Sequence, residues 1–215
     1  MALALIDPFK SPYTGGQTPI STALEAANHI AVHYPDDGLG NYICNTLDAS
    51  ATYKAWRKAM PRKRPQAIAT YQSNYDKRDD AAVNYDILTY GDTLDVGQIL
   101  FHGGHWTGGT GTIVMNRPLS TTFNPNVAFV SALWKAKAYD AGQLDLIVLR
   151  TTTAATKAYV FNRRGSFSHE REILLPANTT LKFVCRTSLQ KAVNVTKVDF
   201  PDKTIPIYVV EAEVS

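Results

Sequence analysis

Residues Ser166–Leu175 read SFSHEREILL, with two glutamates two apart at the mouth of an apolar run. In an extended chain Glu170 and Glu172 point to one side and Arg171 to the other, and the glutamate Cα atoms lie roughly 6.6 Å apart. Carboxylates so spaced can work on neighbouring groups of one substrate. Their repulsion pushes the two pKa values apart, so that one stays ionised while the other shuttles protons. A solvated edge strand gives the same alternation, so the pair needs support from elsewhere in the chain.

Two upstream stretches supply it. Ile99–Trp106, ILFHGGHW, reads as a strand that delivers His102 at its end and then runs into glycine. Gly103 lets a ligand or another backbone come close, and the histidine can hydrogen-bond a ribose or a carboxamide. A hairpin turn with a surface histidine fits the same residues. The following TGGTGT carries no Lys-Ser/Thr pair, so it is no phosphate-cradling loop, and a dinucleotide-binding glycine fingerprint is also absent. Leu119–Phe129, LSTTFNPNVAF, opens on a short strand. There Ser120 and Thr122 share a face, with Thr121 on the other. Hydroxyls on such a face can orient a carboxylate, although Ser and Thr are common on strands in any case.

The rest of the chain bounds the answer. With 215 residues and 45% hydrophobic content, it is long enough for one domain with a sizeable core. No apolar run reaches membrane-spanning length. MALALIDPFK lacks the basic start, apolar stretch and small-residue cleavage site of a Sec signal. Cys44 and Cys185 are far apart and in no metal-like spacing, histidine is scarce, and no metal site is expected. The net charge of +3 is compatible with an anionic partner. Lys54–Arg64, KAWRKAMPRKR, concentrates Lys54, Arg57, Lys58, Arg62, Lys63 and Arg64 around Trp56 with no acid. It fits a solvated helix end or a phosphate-contacting patch.

The chain changes character near residue 90. Before it, helical patterns cover Thr22–Val32 with Ser21 as cap, Asp48–Met60 ended by Pro61, Gln66–Asp76 and Ala81–Thr89. After it, short strands dominate: Gln98–His102, Thr112–Arg117, Leu119–Thr122, Leu144–Thr151, Ile173–Leu175, Thr180–Cys185, Val193–Asp199 and Ile205–Val214. One helix, Val127–Tyr139, lies among them. The expected class is α+β, with two packed, mainly antiparallel sheets in residues 90–215 and a helical N-terminal lobe in residues 1–89, together one domain over 1–215.

The three motifs, in this order, resemble those of the mono-ADP-ribosyltransferase toxin superfamily: an Arg or His at the end of the first core strand, a Ser-Thr-Ser-like strand, then aromatic-x-x-Glu/Gln-x-Glu. The resemblance covers roughly residues 90–215. It implies an NAD cleft between the sheets. There Glu172 would hold the nicotinamide ribose and stabilise the oxocarbenium-like state as nicotinamide leaves. Glu170 would orient and deprotonate the acceptor, and Ser120 would steady Glu172. His102, Gly103, Ser120, Thr121 and Thr122 would face NAD, and Phe167 would sit on the target-recognition turn. Histidine at 102, where arginine-modifying members carry arginine, mixes features of two branches.

The expectation is therefore an NAD-dependent mono-ADP-ribosyltransferase, an effector or toxin of bacterial or phage type. It would use NAD as substrate and act in a target-cell cytoplasm on a macromolecular acceptor. Protein arginine leads, RNA is the alternative, and a cognate immunity protein is conceivable. NAD glycohydrolase activity and a non-enzymatic RNA-binding module are the competing readings.

Overall fold

The computed structural model describes residues 2–161 and 171–215. Glu170 and Phe167 lie outside the described residues.

Helices dominate up to residue 90. They are α1 (Ala23–His33), α2 (Asp37–Ala49), α3 (Ala51–Ala59), α4 (Gln66–Ser73) and α5 (Asp80–Tyr90). Thr22, not Ser21, caps α1: its hydroxyl accepts from Glu25 N–H while the Glu25 carboxylate reaches back, a reciprocal capping box. Asp48–Met60 is not one helix. Asp48 closes α2, and Ser50 then caps α3 by accepting from Tyr53 N–H. Helix α2 went unpredicted because Gly38, Gly40 and Asn41 weaken its helical pattern. Its start is nevertheless fixed by Asp36, whose side chain accepts from Gly38 and Leu39 N–H.

The strands are β1 (Ala2–Leu3), β2 (Asp92–Leu94), β3 (Ile99–Gly104), β4 (Thr112–Val114), β5 (Leu119–Thr122), β6 (Leu144–Thr151), β7 (Lys157–Val160), β8 (Glu172–Leu175), β9 (Thr180–Lys197) and β10 (Phe200–Val214). They follow the order β1-β2-β7-β8-β5-β3-β6-β10-β9-β4. The pairings are antiparallel apart from β1 with β2 and β6 with β10. The α+β class and the mainly antiparallel pairing are as expected, but the two halves are not separate. They join at β3 and β5 through the single pair Phe101↔Thr122. Beyond that pair the two strands part.

The centre of the second half is apolar almost throughout. Leu144 and Leu146–Leu149 of β6 are buried, as are Ile207, Val209 and Val210 beside them, which suits a strand covered on both faces. The helix expected over Val127–Tyr139 is α6 (Pro125–Leu133), then a kink with left-handed Lys135 and Ala136, then α7 (Lys137–Ala141). Helix α6 lies so close to β3 that a Cβ on Gly103 would meet the Ala128 carbonyl oxygen at 1.6 Å. The close approach that Gly103 permits is therefore a helix backbone. Among the described residues, no helix is long and apolar enough to cross a membrane.

Candidate active site

Where β3 and β5 part, a cleft of about 1490 Å³ opens, lined among others by His102, Gly103, Arg117, Ser120, Lys137 and Glu172. Its geometry follows from strand register. Thr122 stands opposite Glu172 and Ser120 opposite Leu174, so Ser120, Thr122 and Glu172 share one face, with Ser120 and Glu172 diagonal neighbours. The Ser120 hydroxyl donates to Glu172 Oε1 at 2.6 Å, a short bond to a buried carboxylate. Main-chain bonding holds the strand in place as well, since Phe161 N–H donates to the Glu172 carbonyl at 3.2 Å.

His102 bridges the seam. Its Nδ1 lies 2.7 Å from the Ser120 carbonyl oxygen. A carbonyl can only accept, so Nδ1 carries the proton and Nε2 is left as an acceptor. The ring thus satisfies a carbonyl that a continued ladder would have paired. Burial, aided by the Lys137 and Arg117 charges, pushes the His102 pKa down to about 4 against the opposing effect of that carbonyl. The imidazole is neutral at pH 7.

Thr121 and Thr122 serve the wall itself. The Thr121 hydroxyl donates to the Ile173 carbonyl at 2.8 Å. Thr122 Oγ1 accepts from Asn124 N–H at 3.0 Å, at the entry to α6. Both side chains are buried.

The extended conformation expected here is met by Glu172 but not by Arg171, and Glu170 lies outside the described residues. Strand β8 begins at Glu172, and Arg171 before it has φ 49°. Arg171 itself is therefore left-handed rather than extended. Such a conformation costs a non-glycine residue about 1–3 kcal/mol and persists only where its surroundings impose it.

Sequence reasoning passed over several cleft residues. Tyr71 of α4 is buried, and its pKa is pushed up, first by burial and then by the Glu172 charge, so its hydroxyl stays neutral as a donor. Burial and the neighbouring Arg117 lower the pKa of Lys137. Asp145, fully buried on β6, takes Trp106 N–H at 2.7 Å, Arg186 Nη2 at 2.8 Å and Gln143 Nε2 at 2.8 Å, and so pins the turn that leaves β3. Tyr71 and Lys137 stand outside the three motifs and reach the cleft only through tertiary packing, while Asp145 supports the chain just after β3.

The basic run divides in two. Trp56 is buried against Phe123, ring centroids 5.6 Å apart, and donates its indole N–H to the Ala4 carbonyl at 3.0 Å. Arg57 lies over the Tyr53 ring and Arg64 over Phe161. Lys54, Lys58, Arg62 and Lys63 are exposed. A second groove, about 800 Å³, runs beside α1 around the His29–Asp36 pair. Among the described residues, no group of three His, Cys, Asp or Glu side chains could hold a metal ion, and Cys44 and Cys185 form no disulfide.

No protein-family profile and no curated protein sequence matches the chain. Solved structures do. The ADP-ribosyltransferase Vis, solved with an inhibitor, matches with a TM-score of 0.54 at 12% identity, over 87% of this chain and 90% of its own. Plx2a, an ADP-ribosyltransferase toxin from Paenibacillus larvae, matches at 0.46 and 11% identity, over 76% of this chain and 90% of its own. The enzymatic component C2-I of the C2-toxin from Clostridium botulinum matches at 0.46 and 13% identity, over 76% of this chain and 45% of its own. The chain therefore spans less than half the length of C2-I. At such identities the likeness is one of fold, and the match to Vis carries it: this chain has the fold of an ADP-ribosyltransferase, as the three motifs implied.

Proposed function

We propose that the chain is an NAD-dependent mono-ADP-ribosyltransferase that moves ADP-ribose from NAD to a macromolecule and releases nicotinamide. The observation that carries this reading is the 2.6 Å bond from Ser120 to Glu172, set in the wall of a cleft at the parting of β3 and β5. In the proposed reaction the bond between nicotinamide and ribose C1′ breaks, and its electron pair leaves with nicotinamide. Positive charge develops on the ribose. The Glu172 carboxylate stabilises that charge from a fixed position, without reorganisation during the reaction. Ser120 holds Oε1 of that carboxylate in place. Neutral His102 offers Nε2 as an acceptor to a sugar hydroxyl, while Arg117 and Lys137 attract the pyrophosphate. The acceptor nucleophile then bonds to C1′ and gives up its proton, the task we assign to Glu170 from its place in the motif. Phe167 would meet the acceptor.

Protein arginine is the leading acceptor, because a Glu-x-Glu pair goes with arginine in the family the motifs resemble. RNA is the second reading, favoured by the exposed Lys54, Lys58, Arg62 and Lys63, which can attract phosphates whatever the sequence. The toxin names of the matched structures support an effector role. The test is incubation with labelled NAD and cell lysate, followed by separate protease and RNase digestion. Label lost only with protease supports a protein acceptor, and label lost only with RNase supports RNA. NAD consumed without any label transferred would make the chain a glycohydrolase. Unchanged NAD would reject the reading.

A further inference from the structure

Arg171 stands one residue before Glu172 and has no part in the chemistry proposed above. Its side chain runs away from the sheet into the helical lobe, where it is 7% exposed and its Nη2 lies 2.8 Å from Asp48 Oδ2 on α2. Cys44, one turn earlier on the same helix face, also hydrogen-bonds it. Asp48 Oδ1 lies 3.8 Å from Arg57 Nη1 on α3, and Arg57 in turn rests 4.9 Å above the Tyr53 ring. Helix α2 itself cannot drift freely. A Cβ on Gly40, one turn before Cys44, would come within 2.9 Å of Asn126 Nδ2, and Asn126 binds the Asp36 backbone at both N–H and C=O.

We propose that the Arg171–Asp48 ion pair is a clamp that fixes the left-handed turn before β8 and so aims the Glu172 carboxylate at Ser120. Arg171 and Asp48 are positioning residues, and the inference rests on the reading of Glu172 as the group that stabilises the breaking bond. Two requirements meet at position 171. The backbone must sit at φ 49°, which a side chain resists and glycine accepts freely. The side chain must also deliver a planar guanidinium to a carboxylate on another element. A buried guanidinium without its counter-charge is strongly unfavourable, so losing Asp48 removes the force that holds the turn. Glycine at 171 meets the first requirement and fails the second, which separates backbone strain from the clamp.

The test uses the full chain with Asp48→Asn, Arg171→Gly and Asp48→Glu. It reads nicotinamide release against NAD concentration and the amide resonance of Glu172, with circular dichroism to correct for the folded fraction. Asp48→Asn and Arg171→Gly are expected to lower kcat on the order of 10- to 100-fold with KM for NAD within about twofold, as misplacement of a reacting group does. Both should shift the Glu172 resonance, and Asp48→Glu, which keeps the charge, should retain most of the rate. Full activity in Arg171→Gly, or kcat losses that vanish after correction for folding, would overturn the clamp. If the wild-type chain releases no nicotinamide, the enzymatic reading fails by itself. The resonance then decides the clamp alone: a shift in folded Asp48→Asn or Arg171→Gly supports it, and an unmoved signal in both overturns it.

Discussion

The cleft strands and the basic run 54–64 both stand out in the sequence, yet they handle polarity in opposite ways. In the cleft, His102, Ser120 and Glu172 are shielded, and each polar group has a specific partner on a neighbouring strand. In the basic run the burial falls to Trp56, while Lys54, Lys58, Arg62 and Lys63 extend into solvent. A charge seated in low dielectric with fixed partners can act on a reacting bond. Charges on a wet surface attract a partner over distance but do little to fix it. The difference suggests a division of labour, with chemistry in the cleft and, at most, acceptor attraction on the run.

Five substitutions or conditions test this contrast. Glu172→Gln removes the negative charge and keeps the shape, so nicotinamide release should fall about 10³-fold while the melting temperature stays close to wild type. Trp56→Ala should have the largest effect on stability, about 3–5 kcal/mol in chemical denaturation, because a fully packed indole leaves a cavity. A loss below 1 kcal/mol would mean that Trp56 is not the anchor its burial suggests. Ser120→Ala deletes a hydrogen bond to a charged group and should cost the rate about 10- to 100-fold with little change in folding.

The His102 effect is one of pH. Its folded-state pKa is lowered to about 4, so its contribution to stability is complete above the ordinary value near 6.5. It is lost as pH falls from there to about 4, where the unfolded chain takes up a proton that the folded chain refuses. Denaturation midpoints should show up to ~3 kcal/mol of loss across that window in wild type and less in His102→Gln. The smallest effect belongs to Lys58→Ala with Lys63→Ala. Stability should move by less than about 0.5 kcal/mol. Label transfer to an RNA acceptor would weaken and lose part of its salt dependence, whereas nicotinamide release into water would not change.

How legible each element was depended on how local its signal is. Leu119–Thr122 and Leu144–Thr151 appear as predicted, because short runs rich in β-branched or apolar residues between turn residues favour strands locally. Helix α2 was missed, since its glycines look like breakers until Asn126 is seen packed on Gly40. The strands expected over Thr180–Cys185 and Val193–Asp199 form one strand, β9, and β10 starts earlier than expected, because each continues as the other's partner through polar stretches that carry no period. At the site, Ser120 and Glu172 came from the motifs, and register brought them together. Tyr71, Lys137 and the left-handed Arg171 take their places through tertiary packing, which no single stretch encodes. Gly103 was read as admitting a ligand or another backbone, and the backbone it admits is that of α6.

Whether the cleft binds NAD and splits it is decided by adding NAD to the isotope-labelled full chain. Amide resonances and free nicotinamide are then followed in the same sample. The account predicts early shifts at His102, Ser120 and Glu172, with nicotinamide accumulating in wild type and not in Glu172→Gln. Shifts confined to other surfaces, or none at all, with NAD left intact would contradict it.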